Sequence, residues 1–122
     1  MDMQIETRMS DQLGRFLDLA SSQVKLTAAN MANIDTPGYK AMGLDFESEM
    51  RQALAGVDQG LPPQRVRLKA VDGLVSRPDG NNVSMDRESL TLAEAQLRFK
   101  TGVALMRAEN QMVLDAIRAD SK

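Results

Sequence analysis

The chain has 122 residues, with 15 Lys+Arg against 17 Asp+Glu, a formal net charge of −2, and no Cys, His or Trp. That length fits one ordinary domain. The missing residue types exclude a disulfide framework, a zinc knuckle, a thiol nucleophile and any histidine-based triad. Chemistry would rest on Asp, Glu, Lys and a single Tyr, which argues against an enzyme before any motif is read.

Charge is spread evenly. Residues 1–40 carry four basic and five acidic side chains, 41–89 six and eight, and 90–122 five and four. A nucleic-acid footprint needs basic clustering that is absent here. No apolar run approaches the ~18 residues of a membrane span. The start, Met1-Asp2-Met3, lacks a positive n-region and Asp11 and Asp18 interrupt any h-region, so a cleavable secretory signal is not expected. Composition alone suggests a cytoplasmic protein.

Proline and glycine divide the chain into three parts: 1–35, an N-terminal helix segment; 36–85, a turn motif, loop and short β region; and 86–122, a C-terminal helix. In the first part Leu13, Leu17, Ala20, Val24, Thr27, Met31 and Ile34 recur at steps of four and three, a heptad-like seam. Ser10 or Asp11 suits its N-cap, and about 25 residues of helix would reach roughly 37 Å. Thr36 precedes Pro37, so the helix should end by Asp35. Pro37-Gly38 suits the centre of a type II turn. A helix stop explains Pro37 and Gly38, but not Asn30, Asn33 and the only tyrosine, Tyr39, beside them.

In the middle, Val66, Leu68 and Ala70 alternate with Arg65, Arg67 and Lys69, followed by Asp72-Gly73 and Leu74-Val75. This predicts a small β-hairpin with a two-residue turn. Residues 56–64 read as a mobile loop, and Pro78-Asp79-Gly80-Asn81-Asn82 as a turn. The last part repeats the seam: Leu92, Gln96, Phe99, Val103, Met106, Asn110, Val113 and Ile117. Asp86 suits its N-cap, with Thr91 to Glu94 as a capping box if the first turn frays. About 33 residues of helix would reach roughly 50 Å.

The expected fold is mainly α: two long terminal helices packed as an antiparallel coiled-coil-like pair, with a loop-rich middle containing the hairpin. Two helices share one line of contact, so each leaves apolar flank uncovered. Three phenylalanines make a thin core for this length, and the remaining apolar surface is expected to be closed by other chains. Gln96 and Asn110 on the seam resemble register-setting polar positions. Methionines such as Met31, Met106 and Met112 suit interfaces that repack against unlike neighbours.

Candidate chemistry is weak. Asp79-x-Asn81 opens like a calcium loop, but Ser84 and Leu90 stand where that loop needs Gly and Glu. Asp45, Glu47 and Glu49 offer paired carboxylates without an aromatic platform for a sugar. The Arg65, Arg67 and Lys69 face reads first as a solvated strand face. No phosphate-binding glycine motif occurs.

The run Asn30 to Lys40, of the form Asn-x-x-Asn-x-x-Thr-Pro-Gly-Tyr, resembles the signature of bacterial flagellar axial proteins, the rod, hook and hook-associated group. Two further stretches resemble the proximal rod proteins: Tyr39-Lys40-Ala41 with Leu44-Asp45-Phe46, and Asp79 to Val83 with Met85 to Glu88. The resemblance covers roughly residues 10–50 and 78–118; residues 56–77 match nothing. It implies a non-enzymatic structural subunit without cofactor, metal, nucleic acid or small-molecule substrate. It further implies export through the flagellar type III apparatus without a cleaved signal, and assembly in the periplasmic rod. Partners would be further copies of the chain, the export gate, the adaptor FliE and rod proteins such as FlgC and FlgF. On that footing Asn30, Asn33, Thr36, Pro37, Gly38 and Tyr39 form the family motif. Leu13, Leu17, Val24, Met31, Phe99, Val103, Met106, Val113 and Ile117 are the assembly seams. Alternative readings are another rod protein such as FlgC, or a small cytoplasmic helical adaptor or chaperone.

Overall fold

The structure, a computed structural model, describes residues 7–121; the first six residues, grouped above with the first helix, lie outside them. Three helices dominate: α1 (Arg8–Ala32), α2 (Phe46–Asp58) and α3 (Met85–Asp120). Each begins with a side-chain cap satisfying a free N–H. Thr7 Oγ1 accepts from Ser10 N at 3.0 Å, Asp45 Oδ1 from Ser48 N at 3.1 Å, and Ser84 Oγ from Arg87 N at 3.3 Å. The observed caps thus replace the expected Ser10 or Asp11 and Asp86, and Thr91 to Glu94 lies inside α3. Acidic Asp86 and Glu88 in the first turn of α3 and Arg118 in its last turn complement the helix dipole.

The two long helices pack antiparallel. Thr7 Oγ1 donates to Glu109 Oε1 at 2.5 Å, Ser10 Oγ to Met106 Sδ at 3.7 Å, and Asn30 Nδ2 to Glu88 Oε1 at 3.2 Å. Between these bonds Gly102 lets the helices close. A Cβ there would lie 2.7 Å from Leu17 Cδ2 and 3.0 Å from Phe16 Cδ1. The α1 face is as expected, with Leu13, Ala20 and Thr27 buried and Leu17, Val24 and Met31 half-buried.

On α3 only part of the expected seam turns inward: Leu92, Val103, Met106 and Val113 are half-buried, and Met106 meets Ser10 of α1. The buried residues of α3 are Glu88, Ala95 and Gly102, seven residues apart, while Gln96, Phe99, Asn110 and Ile117 are exposed. Ala95 and Gly102 are buried where the two backbones approach most closely, and Glu88 is buried through its bond to Asn30.

The middle contains a helix where loop was expected. Phe46, Met50, Ala53, Leu54 and Val57 give α2 an apolar stripe. Phe46 meets Phe16 edge-on at 5.7 Å and lies beneath the Arg98 guanidinium at 4.2 Å. The carboxylates weighed above as acid/base candidates have local duties: Asp45 caps α2, and Glu47 and Glu49 occupy its first turn. Glu49, buried, pairs with Arg67 Nε at 3.0 Å, while the Arg67 side chain itself stays exposed. After α2, Arg15 holds the Leu61 carbonyl at 2.7 Å.

The small antiparallel sheet is present, with a different partner from the one the turn suggested. Strand β2 (Lys69–Ala70) pairs with β1 (Met42–Gly43) in the register Met42–Ala70 and Gly43–Lys69, not with Leu74-Val75. The Asp72-Gly73 turn forms, with Gly73 at φ 80°, but Val75 is 87% exposed. Asn30 bonds both the N–H and the carbonyl of Met42, which fixes the strand that β2 pairs with.

Candidate functional site

The sequence motif after α1 and the turn before α3 form one joint. Asn30, 1% exposed, uses its whole amide. Nδ2 donates to the Met42 carbonyl at 2.7 Å and to Glu88 Oε1 at 3.2 Å; Oδ1 accepts from Tyr39 Oη at 3.1 Å and Met42 N at 3.2 Å. One side chain therefore ties α1, the turn, β1 and α3. Arg87 at 2.8 Å balances the buried Glu88 carboxylate. Asn33 works locally: Nδ2 donates to Ala29 O at 2.8 Å and Oδ1 accepts from Thr36 Oγ1 at 3.0 Å. The Tyr39 N–H reaches Thr36 O at 3.2 Å across Pro37-Gly38, with Gly38 at φ 76°, which is the expected type II turn.

The second half of the joint is supplied by residues 77–83. Asn81, fully buried, donates from Nδ2 to the carbonyls of Asn33 and Thr36, both at 2.8 Å, and accepts from Val83 N at 2.8 Å. Asn82 Oδ1 accepts from Ala41 N at 2.6 Å, and Asp79 O from Gly38 N at 2.9 Å. Arg77 reaches the Ile34 carbonyl and Lys40 the Gly80 carbonyl. Gly80, at φ 87°, has no room for a side chain: a Cβ there would sit 3.3 Å from Gly38 Cα. Asp79 and Asn81, weighed above as a calcium opening, spend their side chains on this backbone. The joint fixes where the chain leaves α1 and where α3 begins.

Away from the joint the molecule is open. It exposes 8416 Å², against about 6,500 Å² for a compact monomer of its mass. On α3, Leu90 (63%), Leu97 (67%) and Met112 (66%) stand in solvent. Phe99, Leu105, Leu114 and Ile117 are also exposed, whereas Val103, Met106 and Val113 are half-buried. Leu90, Leu97, Leu105 and Met112 share one side of α3, and a row of exposed large apolar side chains marks a protein interface. A cleft of about 300 Å³ between α1, α2 and residues 62–66 is lined by Arg15, Asp18, Glu49 and Arg65 among others. Its Arg15 and Glu49 are already engaged with Leu61 and Arg67.

Sequence reasoning found the Asn30 to Tyr39 half of the joint and missed its binding partners Asn81, Asn82, Arg77 and Glu88. It also missed Gly102, although a lone glycine inside a long helix signals close approach.

A family model described as "Flagella basal body rod protein" matches residues 17–40, the second half of α1 and the turn of the joint. The flagellar basal body rod protein FlgB of Salmonella typhimurium is 32% identical over 120 residues, covering 84% of this chain and 87% of the relative. FlgB of Cereibacter sphaeroides is 31% identical over 127 residues, covering 93% and 99%. FlgB of Escherichia coli K12 is 27% identical over 121 residues, covering 84% and 88%. With two relatives above 30% identity across most of both chains, this chain belongs to the FlgB family of flagellar basal body rod proteins.

Proposed function

We propose that the chain is a structural subunit of the proximal rod and performs no catalysis: its joint holds two long helices in fixed relation, and their open faces pack against neighbouring rod subunits. The observation that carries this is on α3, which turns its small residues toward α1 and leaves leucines, methionine and phenylalanine in solvent. A monomeric protein would bury those side chains, since each is worth about 1.5–3 kcal/mol on full burial. Helical assembly requires heterologous contacts, one surface meeting a different one on the next subunit. The partners are further copies of this chain, the adaptor FliE, the export gate at the base, and rod proteins such as FlgC and FlgF. The route is flagellar type III export without cleavage of a signal, and the destination is the periplasmic rod.

Purified basal bodies test this reading. The chain should be present in them, and its deletion should leave cells without rods and without motility. Absence from intact basal bodies, or a soluble complex with one cytoplasmic client instead, would overturn it.

A further inference from the structure

Both long helices carry a second, solvent-facing seam on the flank of their mutual contact, with Ser21 and Lys100 at the rim of the groove between them. On α1 it runs Asp11, Gly14, Asp18, Ser21, Lys25, Ala28 at steps of three and four; on α3 it runs Leu90, Ala93, Leu97, Lys100, Ala104, Arg107. Every residue of the α3 set is exposed, and in the α1 set only Gly14 and Ser21 are half-buried. None of their charged groups makes an ion pair among the described residues. A Cβ built on Gly14 meets nothing within 4 Å, so that position is open.

We infer that the outer seam of α3 packs antiparallel onto the outer seam of α1 of a second copy of this chain, with Asp11 opposite Arg107 and Asp18 opposite Lys100. In this register Gly14 faces Ala104, Ser21 faces Leu97 and Ala28 faces Leu90. Each outward leucine thus enters a position occupied by a small residue, and each aspartate meets a cation. Lys25 falls opposite Ala93, beside the exposed Glu94. Spacing matches because both charge pairs are seven residues apart, about 10.5 Å along a helix. A parallel arrangement that keeps two ion pairs puts Leu97 opposite Arg8 and loses the leucine-to-small match.

The stagger is the one already used within the chain, where Asn30 lies opposite Glu88 and Leu17 opposite Gly102. Copies related this way stand side by side, α1 and α3 of one followed by α1 and α3 of the next, without axial offset. The contact is heterologous and therefore repeats. This deepens the rod-subunit proposal and rests on it.

The chain has no cysteine of its own, so a Gly14→Cys/Ala104→Cys double variant reports on the closest point of the contact. Expressed in flagellated cells and oxidised in purified basal bodies, it should give a ladder of dimers, trimers and higher species on a non-reducing gel. Each single variant alone should stay monomeric, since the two positions lie on different faces of the contact. A bismaleimide of about 8 Å reach gives the same ladder where disulfide geometry is not met. Monomers only with both reagents, from basal bodies that contain the chain, would overturn this contact and leave the rod-subunit reading standing. Basal bodies lacking even the wild-type chain would instead overturn the reading itself.

Discussion

Asn30→Asp places an acceptor where the joint needs a donor, with almost no change of shape. Asn30 Nδ2 lies 3.2 Å from Glu88 Oε1, and both side chains are 1% exposed. Two carboxylates at that distance repel by about 5 kcal/mol at an effective dielectric near 20. The pair escapes by keeping one proton, which at pH 7 costs about 4 kcal/mol for an ordinary carboxyl. That smaller figure limits the loss. The folded variant then holds a proton that the unfolded chain has released, so its stability falls as pH rises above the carboxylate range. The deficit against wild type is therefore about 4 kcal/mol at pH 7, shrinking by about 1.4 kcal/mol per unit on acidification toward pH 4. Asn30→Ala, which deletes all four hydrogen bonds, should cost about 2–4 kcal/mol without that recovery. Urea titrations followed by circular dichroism and by Tyr39 fluorescence measure both, because Tyr39 is the only tyrosine, no tryptophan interferes, and its hydroxyl binds Asn30. Equal stability of Asn30→Asp and wild type at pH 7, or a deficit that grows on acidification, would refute the role assigned to this joint.

Gly102→Ala gains about 1 kcal/mol of helix propensity against a Cβ 2.7 Å from Leu17 Cδ2; urea titration should find it near neutral, and Gly102→Leu destabilised by about 1–3 kcal/mol. Gly38→Val forces a β-branched residue to φ 76°; combined with Pro37→Ala it should misdirect the chain leaving α1 and abolish swimming in soft agar. Leu17→Asp buries an unpaired charge between α1 and α3 and should lower helix content of the purified chain by circular dichroism. Leu97→Asp, at a site 67% exposed, should leave that helix content unchanged and block rod assembly.

The long helices were legible because α1 keeps a strong seven-residue repeat and both helices lack proline. The face that α3 turns inward was legible only in part. Its surface is apolar on several sides, so a seam of large residues such as Phe99 and Ile117 competes with the small stripe of Ala95 and Gly102. Only the partner's shape decides between them. In the joint, the Asn30 to Tyr39 run stood out as unexplained by a helix stop. Its partners, Asn81 and Glu88, lie roughly fifty residues on, and single-sequence patterns carry no signal for long-range side-chain bonds. Helix α2 was legible in retrospect through Asp45 as cap and Phe46, Met50, Leu54 and Val57 as stripe.

The central claim is that the apolar side chains α3 leaves in solvent are covered by neighbouring subunits in the rod. Maleimide labelling of a Leu97→Cys variant measures this most directly, because the chain supplies no competing thiol. The purified chain should label fully, intact basal bodies containing it should resist labelling, and the same basal bodies should label once denatured. Equal labelling of intact and denatured basal bodies would contradict the account.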